Sequence, residues 1–312
     1  MKACGSESDI MKGHEIHAEI VQRGLLESND FIGGTLVELY IKCGCLEQAQ
    51  TVFDKIPTQS VVTWNILIAG YADNDYGNEA ISCYRQMHSE NISPDMLTFS
   101  SVLKACTSIV AMDTGIELHA EIERNGLLKE DVVLGSVLID MYAKFGLLER
   151  AEYVFQKLPV RDEITWTTLM VGFAQLGEIE NVFRIFDKMI NEDKKPNQVG
   201  FLSILCACSH GGLVDDGWKY FEAMWENYGI IPILEHYACM VDLLARAGQL
   251  DAAILMIKEA PFHPDKGIWL TVLGACRKWG NTELGRQAFG ELELLDDKDA
   301  ASYVFMSNVY AC

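Results

Sequence analysis

The sequence predicts an all-α fold, a right-handed α-solenoid of stacked helix-turn-helix repeats, and three observations predict it. The stretch Val61-Val62-Thr63-Trp64-Asn65-Ile66-Leu67-Ile68-Ala69-Gly70-Tyr71-Ala72 returns as Glu163-Ile164-Thr165-Trp166-Thr167-Thr168-Leu169-Met170-Val171-Gly172-Phe173-Ala174, so that Trp64 and Trp166 lie 102 residues apart. That interval divides into sub-blocks of 31, 35 and 36 residues, each with two amphipathic helical patterns. A hairpin of that size cannot bury its apolar face alone, and stacked neighbours supply the cover. Finally, 312 residues at 49% hydrophobic suffice for such a core, whereas no apolar run approaches the ~18 residues that would span a bilayer. No membrane partner is expected.

Taken in order, the elements follow the same ruler. Lys2, Ala3, Cys4, Gly13, Glu15, His17, Ala18, Glu19, Ile20, Gly24, Leu25 and Leu26 reappear 102 residues later, from Lys104 to Leu128. The chain is therefore expected to begin inside a unit, residues 1–29 being a partial long repeat without a transit peptide. Seven repeats follow over 30–265, cut at 30–60, 61–95, 96–131, 132–162, 163–197, 198–233 and 234–265. In the first, Leu36, Leu39 and Tyr40 serve the first helix, Gly44 closes it, and Ala49, Val52, Phe53 and Ile56 mark the second before Pro57. In the next, Trp64, Leu67, Ile68 and Tyr71 fall at i, i+3, i+4 and i+7 on one helical face. Asp73 to Gly77 is a turn, and Ala80, Tyr84 and Met87 mark a second helix expected to end near Pro94. The Trp and Tyr stripes are assigned to the core.

Composition excludes several functions. The ten Cys contain no C-x-x-C pair, and Cys106 and Cys208 fall on apolar faces, so the cysteines read as reduced core thiols. A formal net charge of -20 argues against non-specific binding to nucleic acid, and no DNA partner is expected. His17-Ala18-Glu19 and His119-Ala120-Glu121 imitate the H-x-E element of zinc deaminases, but the P-C-x-x-C that completes that site is missing. His14-Glu15-Ile16-His17 is one residue short of H-E-x-x-H, and no phosphate-binding Gly-rich loop occurs. The expectation is a protein that is not an enzyme and holds no metal or cofactor.

Thr63-Trp64-Asn65 with Gly70-Tyr71-Ala72, Met141-Tyr142-Ala143-Lys144 with Gly146-Leu147, and Phe53-Asp54-Lys55-Ile56-Pro57, set in hairpins of alternating length, resemble plant pentatricopeptide repeat proteins of the mixed-length class. The run from His236 to Gly248 looks like that family's last short repeat. Residues 266–299, with Trp269-Leu270 and Leu273-Gly274-Ala275-Cys276-Arg277, look like the extension motif that follows it, and 300–312 like the start of a second, truncated one. The resemblance implies single-stranded RNA recognition at one base per repeat, and a specificity factor for C-to-U editing in mitochondrial or chloroplast transcripts. Such a factor recruits a deaminase in trans through the extension motif.

In that family the fifth and last residues of a repeat read the base, which lies between successive first helices. The resemblance makes Asn65 with Asp95 a uracil reader, Ser136 with Asp162 a guanine reader, and Thr167 with Asn197 an adenine reader. The chemistry agrees: an ionised Asp only accepts and suits an imino N–H, whereas an Asn amide can donate to a ring nitrogen. Val62, Val133 and Ile164 are the second-position residues that would flank these bases. Gly34 with Ser60, Ser100 with Asp131, Leu202 with Ile233 and Ala238 with Asp265 are weak readers, and Glu235 departs from the aliphatic pattern. The implied target is 5′-U-N-G-A-N-N-N-N-N-C. Asp95 and Asn197, each following a proline, also suit the N-cap of the next helix. Lys42, Lys144 and Arg246 recur once per block and suit either phosphate contacts or the C-terminal end of a helix dipole. The charge of -20 keeps a second reading open, a helical scaffold for protein partners. A scaffold would carry an acidic or apolar groove, whereas an RNA reader places its acids elsewhere.

Overall fold

The computed structural model describes residues 7–24, 30–129, 131–295, 303–304 and 306–307. Within them lie seventeen α-helices, one 3-10 turn and no strand. The helices group into two compact units that divide after Val160. The amino-terminal unit contains α1 (Glu7–Gln22), α2 (Asp30–Lys42), α3 (Leu46–Phe53), α4 (Val61–Asp73), α5 (Gly77–Ser89), α6 (Met96–Ser108), α7 (Met112–Arg124), α8 (Val132–Lys144) and α9 (Leu148–Lys157). The carboxy-terminal unit contains α10 (Glu163–Gln175), α11 (Ile179–Asn191), α12 (Gln198–Gly211), α13 (Val214–Glu226), α14 (Leu234–Arg246), α15 (Leu250–Glu259), α16 (Lys266–Trp279) and α17 (Thr282–Leu295). Lys2, Ala3, Cys4, Leu25, Leu26 and most of 300–312 fall outside the described residues, and no described helix is long and apolar enough to cross a membrane.

Each unit is a stack of helical hairpins, the all-α solenoid class that the periodicity predicts. The even-numbered first helices pack side by side within a unit, and each odd-numbered second helix returns along its own first helix. Some second helices also lie against the next first helix, as α5 does on α6 and α11 on α12. Trp64, Leu67, Ile68 and Tyr71 are buried together, and the Trp64 ring meets Phe53 of the preceding hairpin edge-on at 4.6 Å. Trp166 and Tyr142 are likewise fully buried. Full burial of side chains of this size contributes about 1.5–3 kcal/mol each, enough to make the stack depend on its aromatic rungs.

Every first helix is followed by a residue with left-handed backbone. Six of these are glycines, Gly44, Gly146, Gly177, Gly212, Gly248 and Gly280, and two are Asp75 and Val110. Glycine adopts that conformation without steric cost, which explains why Gly44, Gly146 and Gly248 stand out in the sequence. Several second helices end in the same manner, at Gly24, Asn91, Gly126, Asp193 and Gly229.

Four expectations need correction. In α2 it is Val37, not Leu39, that is fully buried beside Leu36 and Tyr40, because the helix presents a wider apolar stripe than i, i+3, i+4 alone. The second helix of the 61–95 hairpin does not run to Pro94. It stops at Ser89, where left-handed Asn91 (φ 59°) lets Ile92 N–H reach back to Met87 O at 3.0–3.1 Å alongside Asn91 N–H to His88 O; Pro94 instead precedes the N-cap of α6. The aromatic residues are not uniformly core, since Trp225 and Trp279 are exposed. Nor are the cysteines: Cys106 and Cys208 are buried, but Cys43, Cys45, Cys206 and Cys239 are half-buried.

Candidate nucleic-acid interface

Within a first helix the residues at positions 3, 4, 7, 8 and 11 face the core, which leaves position 2 pointing out of the N-terminal turn. Val62, Val133 and Ile164 occupy that position and are 65%, 63% and 62% exposed. Phe31, Leu97 and Val199 stand in the same register and are exposed too. The sequence signal for these three was their place, second in their sub-blocks. Within each unit, an exposed apolar side chain at one fixed place in successive hairpins gives a base apolar surface to lie against.

The last residue of a hairpin proves to be the N-cap of the next first helix. Asp95 Oδ1 accepts from Thr98 N–H at 2.9 Å, Asp162 Oδ1 from Thr165 N–H at 2.8 Å, and Asn197 Oδ1 from Gly200 N–H at 3.0 Å. Ser60, Asp131 and Asp265 cap α4, α8 and α16 in the same way. Ile233 has no capping side chain, and there His236 Nδ1 accepts from the Ile233 N–H at 3.2 Å. The capping reading of Asp95 and Asn197 is therefore correct, and it engages only part of each side chain.

Asn65 and Asp95 are brought together. Asn65 Nδ2 donates to both carboxylate oxygens of Asp95, at 2.9 and 3.0 Å, and Asn65 Oδ1 accepts from the Thr98 hydroxyl at 2.5 Å. Asn65 is only 9% exposed, so it sits behind Asp95 and orients it, whereas Asp95 is exposed. Among the described residues Asp95 Oδ2 accepts only from Asn65, and a carboxylate oxygen can accept twice. The pair thus presents one oriented acceptor between the exposed side chains of Val62 and Leu97.

Thr167 and Asn197 meet differently. The Thr167 hydroxyl donates back to the carbonyls of Glu163 and Ile164, and Gly200 fills the space between the two side chains: a Cβ built there would stand 3.4 Å from Thr167 Cγ2 and 3.8 Å from Asn197 Oδ1. Asn197 Nδ2 makes no hydrogen bond to a described residue and remains a donor. It opens onto a cleft of about 690 Å³ lined by Lys195, Asn197, Val199 and Ile231. Ser136 and Asp162 lie in different compact units. Each by itself is anchored locally, Ser136 Oγ donating to Val132 O at 3.2 Å and Asp162 capping α10.

Lys42, Lys144 and Arg246 close their first helices, and each is held by an acid one turn earlier: Lys42 to Glu38 at 2.6 Å, Lys144 to Asp140 at 2.7 Å, Arg246 to Asp242 at 2.8 Å. Lys104 pairs with Asp73 across α6 and α4. Lys104 and Lys144 line a groove of about 660 Å³ over α4, α6 and α8. The acid excess lies elsewhere. The first helices α2 to α16 carry seven Asp and Glu against seven Lys and Arg, whereas the second helices α3 to α17 carry nineteen against nine.

The H-x-E elements are structural. His119 Nδ1 and the Tyr142 hydroxyl are 2.7 Å apart, as are His17 and Tyr40 at 2.8 Å, while Glu121 accepts from the Tyr84 hydroxyl at 2.8 Å on another side of α7. Residues two apart on a helix diverge, and no cluster among the described residues could hold a metal ion.

The chain matches the PPR repeat family at residues 59–108 and the PPR repeat at 136–162, 164–193 and 199–228. It is 38% identical over 311 residues to the mitochondrial pentatricopeptide repeat-containing protein At2g03880 of Arabidopsis thaliana, covering 100% of this chain and 48% of that protein. It is 40% identical over 319 residues to the chloroplastic pentatricopeptide repeat-containing protein CRR2 of the same plant, again 100% of this chain and 48% of the other. The chain thus spans about half the length of these curated relatives. Its structure is similar to the crystal structure of the pentatricopeptide repeat protein PPR10 in complex with an 18-nt psaJ RNA element, with a TM-score of 0.76 at 16% identity over 99% of this chain and 47% of PPR10. That likeness establishes the solenoid fold.

Proposed function

Because this chain is a pentatricopeptide repeat protein, we propose that it binds single-stranded RNA with one base per repeat, the bases lying against the N-terminal turns of its first helices. The observation that carries this reading is the Asn65–Asp95 pair, an oriented carboxylate acceptor between the exposed side chains of Val62 and Leu97. It suits the imino N–H of uracil. The free amide of Asn197 beside Thr167 suits the ring nitrogen of adenine. The charge placement favours RNA over a protein scaffold, since the acid excess falls mainly on the second helices, the N-caps Asp95, Asp131, Asp162 and Asp265 being the acids on the first-helix side. The 18-nt psaJ RNA element bound by PPR10 in its crystal structure is in keeping with this function.

In its finer form the proposal is a mixed-length repeat protein of the extension type, acting in C-to-U editing in mitochondria or chloroplasts, the compartments named for its relatives. Residues 266–299 would contact the deaminase in trans. Binding to 5′-U-N-G-A-N-N-N-N-N-C is compared with RNAs exchanged at the U, G or A. Each exchange is expected to weaken binding, and equal affinity for all four RNAs would overturn the reading.

A further inference from the structure

Cys206 on α12 and Cys239 on α14 have their sulfurs 3.1 Å apart, and both residues are half-buried. One turn further along, a second rung fixes the spacing of the same two helices. The Ser209 hydroxyl donates to Asp242 Oδ2 at 2.5 Å, and Arg246 Nε holds both oxygens of Asp242 at 2.9 and 2.8 Å. The two helices are therefore already held at a separation at which the thiols touch, and bond formation closes a gap of about 1 Å between the sulfurs.

The remaining buried thiols differ. Burial pushes Cys83, Cys106 and Cys208 up to about 12 and Cys276 up to about 11, which leaves them inert at neutral pH. In the pair, the hydrogen bond from Cys239 holds the Cys206 thiol below its ordinary value, against burial and the Asp242 charge. The same hydrogen bond raises Cys239.

We propose that Cys206 and Cys239 form a reversible dithiol–disulfide site that cross-links α12 to α14 on the first-helix face. With hydrogen peroxide as oxidant, the Cys206 thiolate attacks one peroxide oxygen and, with protonation of the leaving hydroxide, gives a sulfenic acid and water. The Cys239 thiolate then attacks Cys206 Sγ and expels hydroxide, which takes the remaining proton. In total two thiols and one peroxide yield one disulfide and two waters, and a dithiol reductant restores the pair. The site goes beyond RNA recognition and stands independently of it.

The full chain is treated with stoichiometric peroxide, its free thiols are alkylated, and peptides are mapped by mass spectrometry. The expected result is loss of alkylation at two of the ten cysteines, with a Cys206–Cys239 linked peptide that a dithiol reductant releases. Cys206→Ser and Cys239→Ser abolish that peptide, whereas Cys208→Ser retains it. Full alkylation of Cys206 and Cys239 in the treated wild-type chain, or linked peptides spread over other cysteines, would overturn the proposal; the wild-type map decides even where a variant fails to fold.

Discussion

Asp95 serves two roles that a single substitution can separate, because Asn is as good an N-cap as Asp but presents an amide where Asp presents a second acceptor. In Asp95→Asn, one oxygen still caps α6 through Thr98 N–H, the 2.9 Å bond of the wild type. The other acceptor becomes an NH2 facing Asn65 Nδ2, so one of the two Asn65 bonds at 2.9 and 3.0 Å is lost. The stability cost is about 1 kcal/mol, the net value of one hydrogen bond. The effect on uracil is larger in kind: an acceptor matched to its imino N–H becomes a donor. By analogy with direct base readout this discrimination is worth about 1–3 kcal/mol, roughly a 5- to 150-fold change in relative affinity. Asp95→Ala loses the cap, about 1 kcal/mol, and strands the nearly buried Asn65 amide, a further ~1–3 kcal/mol. Fluorescence anisotropy with RNAs carrying U or C at the aligned base, together with urea melts, measures both. A variant Asp95→Asn that keeps the wild-type preference for U would show that the carboxylate caps a helix and reads nothing.

Three further outcomes are expected. Gly77→Ala should cost about 1–3 kcal/mol by overpacking, since the new Cβ would lie 2.6 Å from Ile109 Cγ2 and 3.0 Å from the backbone Ala105 O; an unchanged urea midpoint would contradict that packing. Exchanging Lys42, Lys144 and Arg246 together for Gln should remove three pairs on single helices at about 0.2–0.5 kcal/mol each and leave the salt dependence of RNA binding unchanged. A slope reduced by about 0.7 per residue would instead place these cations on phosphates. Acidification should destabilise the chain: His236 is fully buried, with Nδ1 accepting from Ile233 N–H and Nε2–H donating to Gln198 O, and burial lowers it below its ordinary 6.5, as it does His17 and His119. The unfolded chain therefore takes up protons first, so stability present above pH 6.5 is lost as the pH falls below it. A urea midpoint that rises on going from about pH 7.5 to about pH 5.5 would refute this.

The hairpins were legible because the helical face and the turn are both written locally: Trp64, Leu67, Ile68 and Tyr71 have helical spacing, and Gly44 marks its turn. Leu39 and Val37 show the limit, since either fits an apolar stripe and only the neighbouring helix decides between them. Pro94 misled because a proline punctuates the chain equally well after one helix or before the next cap. For the candidate site, the register identified Asn65 and Asp95 as residues to consider, but not that the first is buried and orients the second. That relation spans thirty residues and depends on how α4 and α6 pack. The Cys206–Cys239 contact was illegible for the same reason, the two thiols sharing neither a motif nor a repeat position.

The left-handed residue after every first helix has an evolutionary consequence. A chain that leaves each first helix through the same backbone conformation can be lengthened or shortened by whole hairpins without a new joint having to be found. Val110 is where this uniformity is least comfortable, a β-branched residue held at φ 56° where six of its counterparts are glycine. A lineage could relax that joint by one codon change to glycine and leave the hairpin's path intact.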